Sequence, residues 1–486
     1  MNNHNPAQPM LKYPKILFHK NVIAVINTLQ QEDVKGVFTA KNHPLEGITS
    51  DFIAQRKSFK ISFEYDRFAP RAKSIKLNYQ PKRIPFKIGD ESYVFERLWF
   101  TKHSPPRLEG SVNFFHTKGY SKKAAYYYRL VFLLTDKLDF THQIEQIYYE
   151  SDLYNFNRSA TKAEIDGDEL IAYTFEDKEN GRSYFAIESN LKQDFDTFSD
   201  KAFALKNAIG YLTGYLVGNC GYFFAYGNKQ MQNISYYYYC SFRDTIKSHY
   251  SPIHSNPFAY LYEKRAIAEK LYEKKALTNV PMDVLSTLAN RLYSSLDFAG
   301  AIVLILESSI ASLLFMPGGF AIVLETMADL IIGDDKLKLS PIKEKPRARA
   351  LRKKLMDIID IDCNDLPVYD LKTLKVRIDN LNNMTNGKRL KAPFDILKIE
   401  LNDNDLVVLE ARNDFLHGRT PGTDATGISD EIDRKNKDLY HAAMRYYTLL
   451  NLLILRWVGF KGFVVNYAKM NEGFFKLKLK EPYYRK

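Results

Sequence analysis

Residues 298–325 read FAGAIVLILESSIASLLFMPGGFAIVLE. This is the most apolar stretch of the chain, and two folds compete for it. A membrane-spanning helix wants about 20 uninterrupted apolar residues. Here Glu307 interrupts the run and Pro317-Gly318-Gly319 breaks it. Proline removes a helical hydrogen bond and glycine weakens the helix further. The stretch is therefore expected to form two buried helices of a helical bundle, with no membrane partner.

The flanking sequence has the same texture. From about Asn256 onward, apolar residues recur at helical spacing with charges between them. The pattern predicts helices over 257–276, 281–315, 319–332, 347–359, 371–382, 403–417 and 430–458. Four or more such helices, packed antiparallel, make a bundle.

Residues 1–250 differ. Tyr, Phe, Val and Ile come in short runs cut by Gly, Pro, Asn and Asp. The runs 57–65, 92–100, 126–134, 169–175 and 183–188 alternate near period two, as half-buried strands do. Residues 202–217 are expected to form a helix, and Tyr236–Tyr239 resume the strand texture. The chain holds 33 Tyr and 32 Phe. Rings of this kind pair across strands in a sheet core, and they also serve as stacking platforms for RNA bases; the sheet core is the simpler explanation. The expected fold class is α+β: a β-rich, sandwich or barrel-like domain over 1–255, then an all-α bundle over 256–486.

The formal net charge of +12 is evenly spread, with 33 basic and 27 acidic side chains in residues 1–250 and the same excess in the remainder. Such a balance permits nucleic-acid binding without requiring it. Cys220, Cys240 and Cys363 show no CxxC spacing, and the histidines show no metal-ligand spacing. No disulfide framework, no metal site and a reducing cytoplasmic location are expected. No charged region followed by an apolar run opens the chain, so no secretory signal is expected. Walker A, HExxH, GxSxG and GxGxxG motifs are missing, which argues against P-loop ATPases, zincins, α/β-hydrolases and Rossmann dehydrogenases. No cofactor is expected.

One segment stands out: Glu410-Ala411-Arg412-Asn413-Asp414-Phe415-Leu416-His417-Gly418-Arg419. Its R-x4-H spacing alone carries little, since looser versions stand at Arg97/His103, Arg243/His249 and Arg434/His441. Its context carries more. In one continuous helix, Asn413 and His417 share a face, so the amide can orient the imidazole. Gly418 is a natural helix stop after His417, and a histidine in a last turn is favoured in its protonated form. The plainer alternative is a capped helix end with a surface arginine and a satisfied histidine.

Arg412-Asn413-x-x-x-His417 resembles the signature of HEPN domains, helical bundles that include many metal-independent ribonucleases of prokaryotic conflict systems. Ile322-Val323-Leu324-Glu325-Thr326 looks like the acidic second-helix motif of that family. Residues 371–383 and 393–416 resemble the run leading into its RN…H helix. The phrase from Arg412 to Gly418 is most like the ApeA-type abortive-infection proteins, which also place a β-rich domain ahead of the nuclease. The likeness spans about residues 256–467. Arg419 stands where antitoxin-paired members often carry Tyr, so control by modification at that position is not implied.

The resemblance implies Arg412, Asn413 and His417 as catalytic residues in a dimeric composite site, RNA as substrate (tRNA by family analogy), and a phage-derived trigger at the N-terminal domain. The residue chemistry agrees. Metal-free RNA scission uses the ribose 2′-OH and needs a base, an acid and a cation for the phosphate. Histidine supplies acid or base, and arginine a bidentate fork. One chain holds one such histidine, whereas a two-fold homodimer holds two.

Glu325, on an otherwise apolar helix, would need a partner if buried, and Arg412 is the candidate. Residues 336–354 hold nine basic side chains against Glu344 alone. Within them Arg352, Lys353 and Lys354, with Arg419 beyond, are candidate RNA-backbone contacts, although charge runs are more often solvated faces. The competing functional reading is a β-domain ligand-binding module with a non-catalytic, dimerising bundle.

Overall fold

The computed structural model describes residues 11–55, 58–64, 82–104, 107–154, 157–218, 220–241, 243–260, 262–333, 340–416 and 429–486. The architecture is α+β, a β-rich region followed by a helical one. Its strands include β1 (Lys12–Leu17), β2 (Lys35–Phe38), β3 (Thr49–Ala54), β4 (Phe59–Glu64), β5 (Lys82–Ile88), β6 (Glu91–Ser104) and β7 (Arg107–Thr117). Strands β2 to β7 close on themselves in the order β7-β4-β3-β2-β5-β6 and back to β7, every pair antiparallel. Of the two expected architectures this is the barrel. Its interior is aromatic: Phe38, Phe52, Phe59, Phe86, Phe95 and Phe115 are all buried, with Phe52 stacked on Phe59 at 4.5 Å. Gly36 on β2 permits the close packing, because a Cβ there would lie 2.3 Å from the Phe86 ring.

From β7 the sheet continues through β8 (Tyr127–Leu134), β9 (Ile147–Ser151), β10 (Asn157–Ile165), β11 (Asp168–Asp177), β12 (Arg182–Ser189), β14 (Gly221–Tyr226) and β15 (Tyr236–Cys240), with the short β13 (Tyr215–Leu216) and β16 (Ile246–Lys247) pairing separately. The order outward from β7 is β15-β14-β8-β12-β11-β10-β9-β1. Period-two alternation gives this sheet two apolar faces. On β14, Tyr222, Phe224 and Tyr226 join the same buried cluster as Val22, Ile23, Ile26 and Leu29 of helix α1 (Lys20–Leu29). Phe223 points the other way, with its ring centroid 4.8 Å from that of Phe195 on α2 (Phe195–Thr213). Helix α2 begins seven residues before the expected 202 because Asp194 caps it, accepting from the Thr197 amide at 3.0 Å.

The fold departs from the sequence expectation in the helical part of the chain. Residues 281–315 are not one helix. They form α4 (Met282–Ser294) and α5 (Leu296–Ser309), after α3 (Tyr262–Glu273), because Ser295 takes an extended backbone. The chain also divides into compact units at Ala299/Gly300, further along than the expected 255/256. The reason is local. On α4, Ser286 accepts from the Glu164 amide at 3.0 Å and Asn290 donates to the Glu164 carbonyl at 2.6 Å, which ties the helix to β10.

The second unit is helical: the rest of α5, then α6 (Met316–Ile332), α7 (Lys345–Asp362), α8 (Val368–Asp379), α9 (Asn386–Ile396), α10 (Asp403–Glu410), α11 (Arg412–Leu416) and α12 (Ser429–Trp457). Short elements close it: β17 (Val464–Val465), α13 (Tyr467–Met470), α14 (Glu472–Phe475) and β18 (Tyr484–Arg485). Residues 442–455 of α12 are buried on every side, so this is the central helix. Residues 298–325 do divide between two helices, α5 and α6, but the break falls at 310–315, and Pro317-Gly318-Gly319, expected to be the break, form the first turn of α6. Among the described residues, no single helix is long and apolar enough to cross a membrane.

Candidate active site

The two elements that carry the site are α6 and α11. Helix α6 starts at Met316-Pro317-Gly318-Gly319 and buries Phe320, Ala321, Val323, Leu324, Met327 and Ala328. Gly319 lets it approach α5: a Cβ there would lie 2.0 Å from Ser308 Oγ. Glu325 emerges between the buried positions, its side chain 29 % exposed.

The sequence pattern predicts one helix over 403–417. Instead the chain breaks at Ala411 into α10 and α11. Helix α10 is fixed at its start by a reciprocal cap. The Asn402 side chain accepts from the Asp405 amide at 3.0 Å, and the Asp405 carboxylate accepts from the Asn402 amide at 3.1 Å. Further along, Tyr446 Oη donates to the Val408 carbonyl at 2.5 Å. The Ala411 amide still bonds to the Val407 carbonyl, and then α11 begins as a separate turn.

At the head of that turn, Arg412 is buried. Its Nη1 lies 2.6 Å from Glu325 Oε1, and its Nη2 donates to Oδ1 of the exposed Asn413. The structure thus brings together Glu325, Arg412 and Asn413. His417 and Arg419 lie outside the described residues. Phe415 and Leu416, immediately before His417, line a cleft of about 610 Å³ whose other walls include Leu304, Phe315, Gly318 and Ile322. The cleft is walled mainly by apolar groups, and Phe315 and Ile322 are exposed. Among family models, curated proteins and solved structures, none matches the chain.

Arg352, Lys353 and Lys354 lie exposed on α7, where Arg352 pairs with Asp379 of α8 at 3.5 Å. Among the described residues, no hydrogen bond or ion pair joins these three to Arg412, Asn413 or Glu325. Nor does any cluster of three His, Cys, Asp or Glu there suit a metal ion.

Sequence reasoning missed a second charged cluster that supports the first. Asp405 accepts from Arg445 at 2.8 Å and from Arg485 at 2.8 and 3.1 Å. Glu481 accepts from Arg445, Asn404 and Asn466. Burial pushes the Glu481 carboxyl up, but these donors outweigh it and bring it down to about 2. His441, beside Arg445, is lowered to about 4, by burial first and by that guanidinium second. The network clamps the C-terminal segment onto the start of α10, two turns ahead of Arg412. The bonds that join Asp405, Arg445, Glu481 and Arg485 span 36 to 80 residues, so no local pattern could reveal them.

The β-rich unit holds its own buried charges. Arg129 donates to Glu188 at 2.8 Å, Lys15 pairs with Glu188 at 2.9 Å, and Tyr173 donates to it at 3.1 Å. His19 stacks on Phe175 at 4.2 Å, and burial holds its imidazole well below the ordinary histidine range.

Proposed function

We propose that this chain is a metal-independent endoribonuclease of HEPN type, acting in the cytoplasm as an abortive-infection device against phage. The observation that carries the reading is the ion pair between Glu325 and Arg412. It links the two segments that the sequence resemblance singles out, and it leads straight into the turn before His417.

In this reading His417 of one copy takes the proton of a ribose 2′-OH. The freed oxygen attacks the adjacent phosphorus, and the 5′-oxygen leaves with a proton from the second copy's His417. The products are a 2′,3′-cyclic phosphate and a 5′-hydroxyl. Asn413 orients the reacting groups. Arg412 is committed to Glu325 in the described conformation, so its first role is to position the turn. Contact with a phosphate requires it to exchange one anion for another. That exchange gives a latent form a physical basis: the charge the reaction needs is held by Glu325 until a phage component engages the β-rich unit. Phe415 and the apolar cleft beside it offer a surface against which a nucleobase can stack. The substrate, by analogy, is tRNA.

A second reading has one observation in its favour. A buried arginine already paired with a carboxylate also suits a purely structural bundle. The chain would then be a ligand-binding β-rich module on a dimerising scaffold. Expression of the wild type beside Arg412→Ala, with and without phage challenge, separates the two. Growth arrest that the substitution abolishes supports the nuclease. Phage protection by both proteins alike supports the binding module.

A further inference from the structure

Helices α7 and α8 form a hairpin with no buried residue in either helix. Leu355, Met356 and Ile359 on one helix and Leu371, Leu374 and Ile378 on the other are only partly covered. Two cross-links tie the pair: Arg352 to Asp379, and Lys375 to Asp360. A two-helix element of this kind gains little stability from propensity alone and ordinarily needs a packed partner.

The hairpin has two unlike ends. Its tip is apolar and acidic. Ile361, Val368 and Tyr369 are 70 %, 84 % and 79 % exposed, and Asp357, Asp362, Asp365 and Asp370 surround them. Its base is a basic-rimmed groove of about 480 Å³, floored by Ile342, Leu351 and Leu381 and flanked by Lys345, Arg349 and Arg352. Helix α7 spans about 27 Å at 1.5 Å per residue, which separates the two ends.

We propose that the hairpin is a self-association surface: the tip of one copy seats in the basal groove of a second, and the reverse, about a two-fold axis. An antiparallel arrangement sets each acidic, apolar tip against a basic, apolar groove. A two-fold contact is met twice, so both ends of both hairpins are satisfied at once and the assembly closes as a pair. A parallel arrangement would oppose like charges at both ends. The inference rests on the nuclease reading's two-copy pair and names the surface that holds it together; it fails if charge reversal leaves the mass unchanged, whereas the nuclease reading fails on RNA scission.

The test uses two full-length variants and sedimentation velocity at micromolar protein and low salt. One reverses the tip (Asp357→Lys, Asp362→Lys, Asp365→Lys). The other reverses the base (Arg347→Glu, Arg349→Glu, Lys353→Glu). All six positions are exposed, so folding is expected to survive, and circular dichroism checks it. Wild type should run as two copies, and high salt should weaken it. Each variant alone should self-associate at least about tenfold more weakly, because like charges meet at both contacts. An equimolar mixture should recover the two-copy mass, because basic tips then meet acidic bases and the reverse. A monomeric wild type, variants that each keep the wild-type mass, or a mixture that fails to associate would overturn the proposal. So would a base-reversed variant that stays paired and loses only retention on RNA, which would assign the basic end to nucleic acid instead.

Discussion

Arg412 Nη1 and Glu325 Oε1 meet at 2.6 Å, joining the turn before His417 to the middle of α6. Arg412 is almost wholly buried and Glu325 partly exposed, so the two partners are not equivalent. Removing the carboxylate strands a buried cation, whereas removing the cation leaves a carboxylate that water can reach.

That asymmetry predicts that Glu325→Ala destabilises the helical unit by about 1–3 kcal/mol, toward the low end of a broken buried pair because solvent reaches Glu325. Arg412→Met, which keeps the volume and removes the charge, should cost less. Urea unfolding of the two variants checks the order, and a larger loss for Arg412→Met would contradict it.

Close approach of α5 and α6 at Gly319 sets a steric prediction. Gly319→Ala should cost about 1–3 kcal/mol by overpacking against Ser308. Adding Ser308→Gly should restore most of the loss. Melting temperatures of the single and double variants decide it, and strictly additive losses would count against the contact.

Asp405 holds two guanidinium groups while capping α10. Asp405→Ala leaves Arg445 with Glu481 and Arg485 with the Glu400 carbonyl and no carboxylate. A loss of about 3–5 kcal/mol is expected for a buried network broken at its shared anion. Chemical denaturation of the full chain provides the measurement.

His441 gives a pH dependence with a definite sign. Burial lowers its folded pKa to about 4, below the unfolded value of about 6.5. The unfolded state therefore binds the proton first, and the contribution to stability is intact above about pH 6.5 and lost as pH falls toward 4. His441→Phe, which keeps a ring beside Phe475, should flatten stability over that window. A variant as acid-sensitive as the wild type would assign the slope to other groups.

Much of this architecture was legible in the residues. Period-two runs marked β4, β6, β8, β11 and β12 because successive side chains there alternate between the two faces of the sheet, and Pro317-Gly318-Gly319 marked where α6 begins, although they sit in its first turn and the chain breaks earlier, at 310–315. Closure of the barrel was not legible, since β2 pairs with β5 and β4 with β7 through contacts far apart in sequence. The breaks at Ser295 and Ala411 were missed for a different reason. Neither is a proline or glycine, and both are imposed by what the flanking helices pack against. At the site, the pairing of Glu325 with Arg412 was anticipated from a lone carboxylate on an apolar helix. The clamp through Asp405, Arg445, Glu481 and Arg485 left no local trace.

In the nuclease reading, the RN…H segment cleaves RNA without a metal. Purified wild type and His417→Ala, incubated with total tRNA in EDTA after exposure to phage-infected lysate, test it most directly. Wild type should yield fragments ending in 2′,3′-cyclic phosphate and 5′-hydroxyl, and the variant should yield none. Equal cleavage by both proteins, or fragments from the wild type only when a divalent metal is restored, would contradict it.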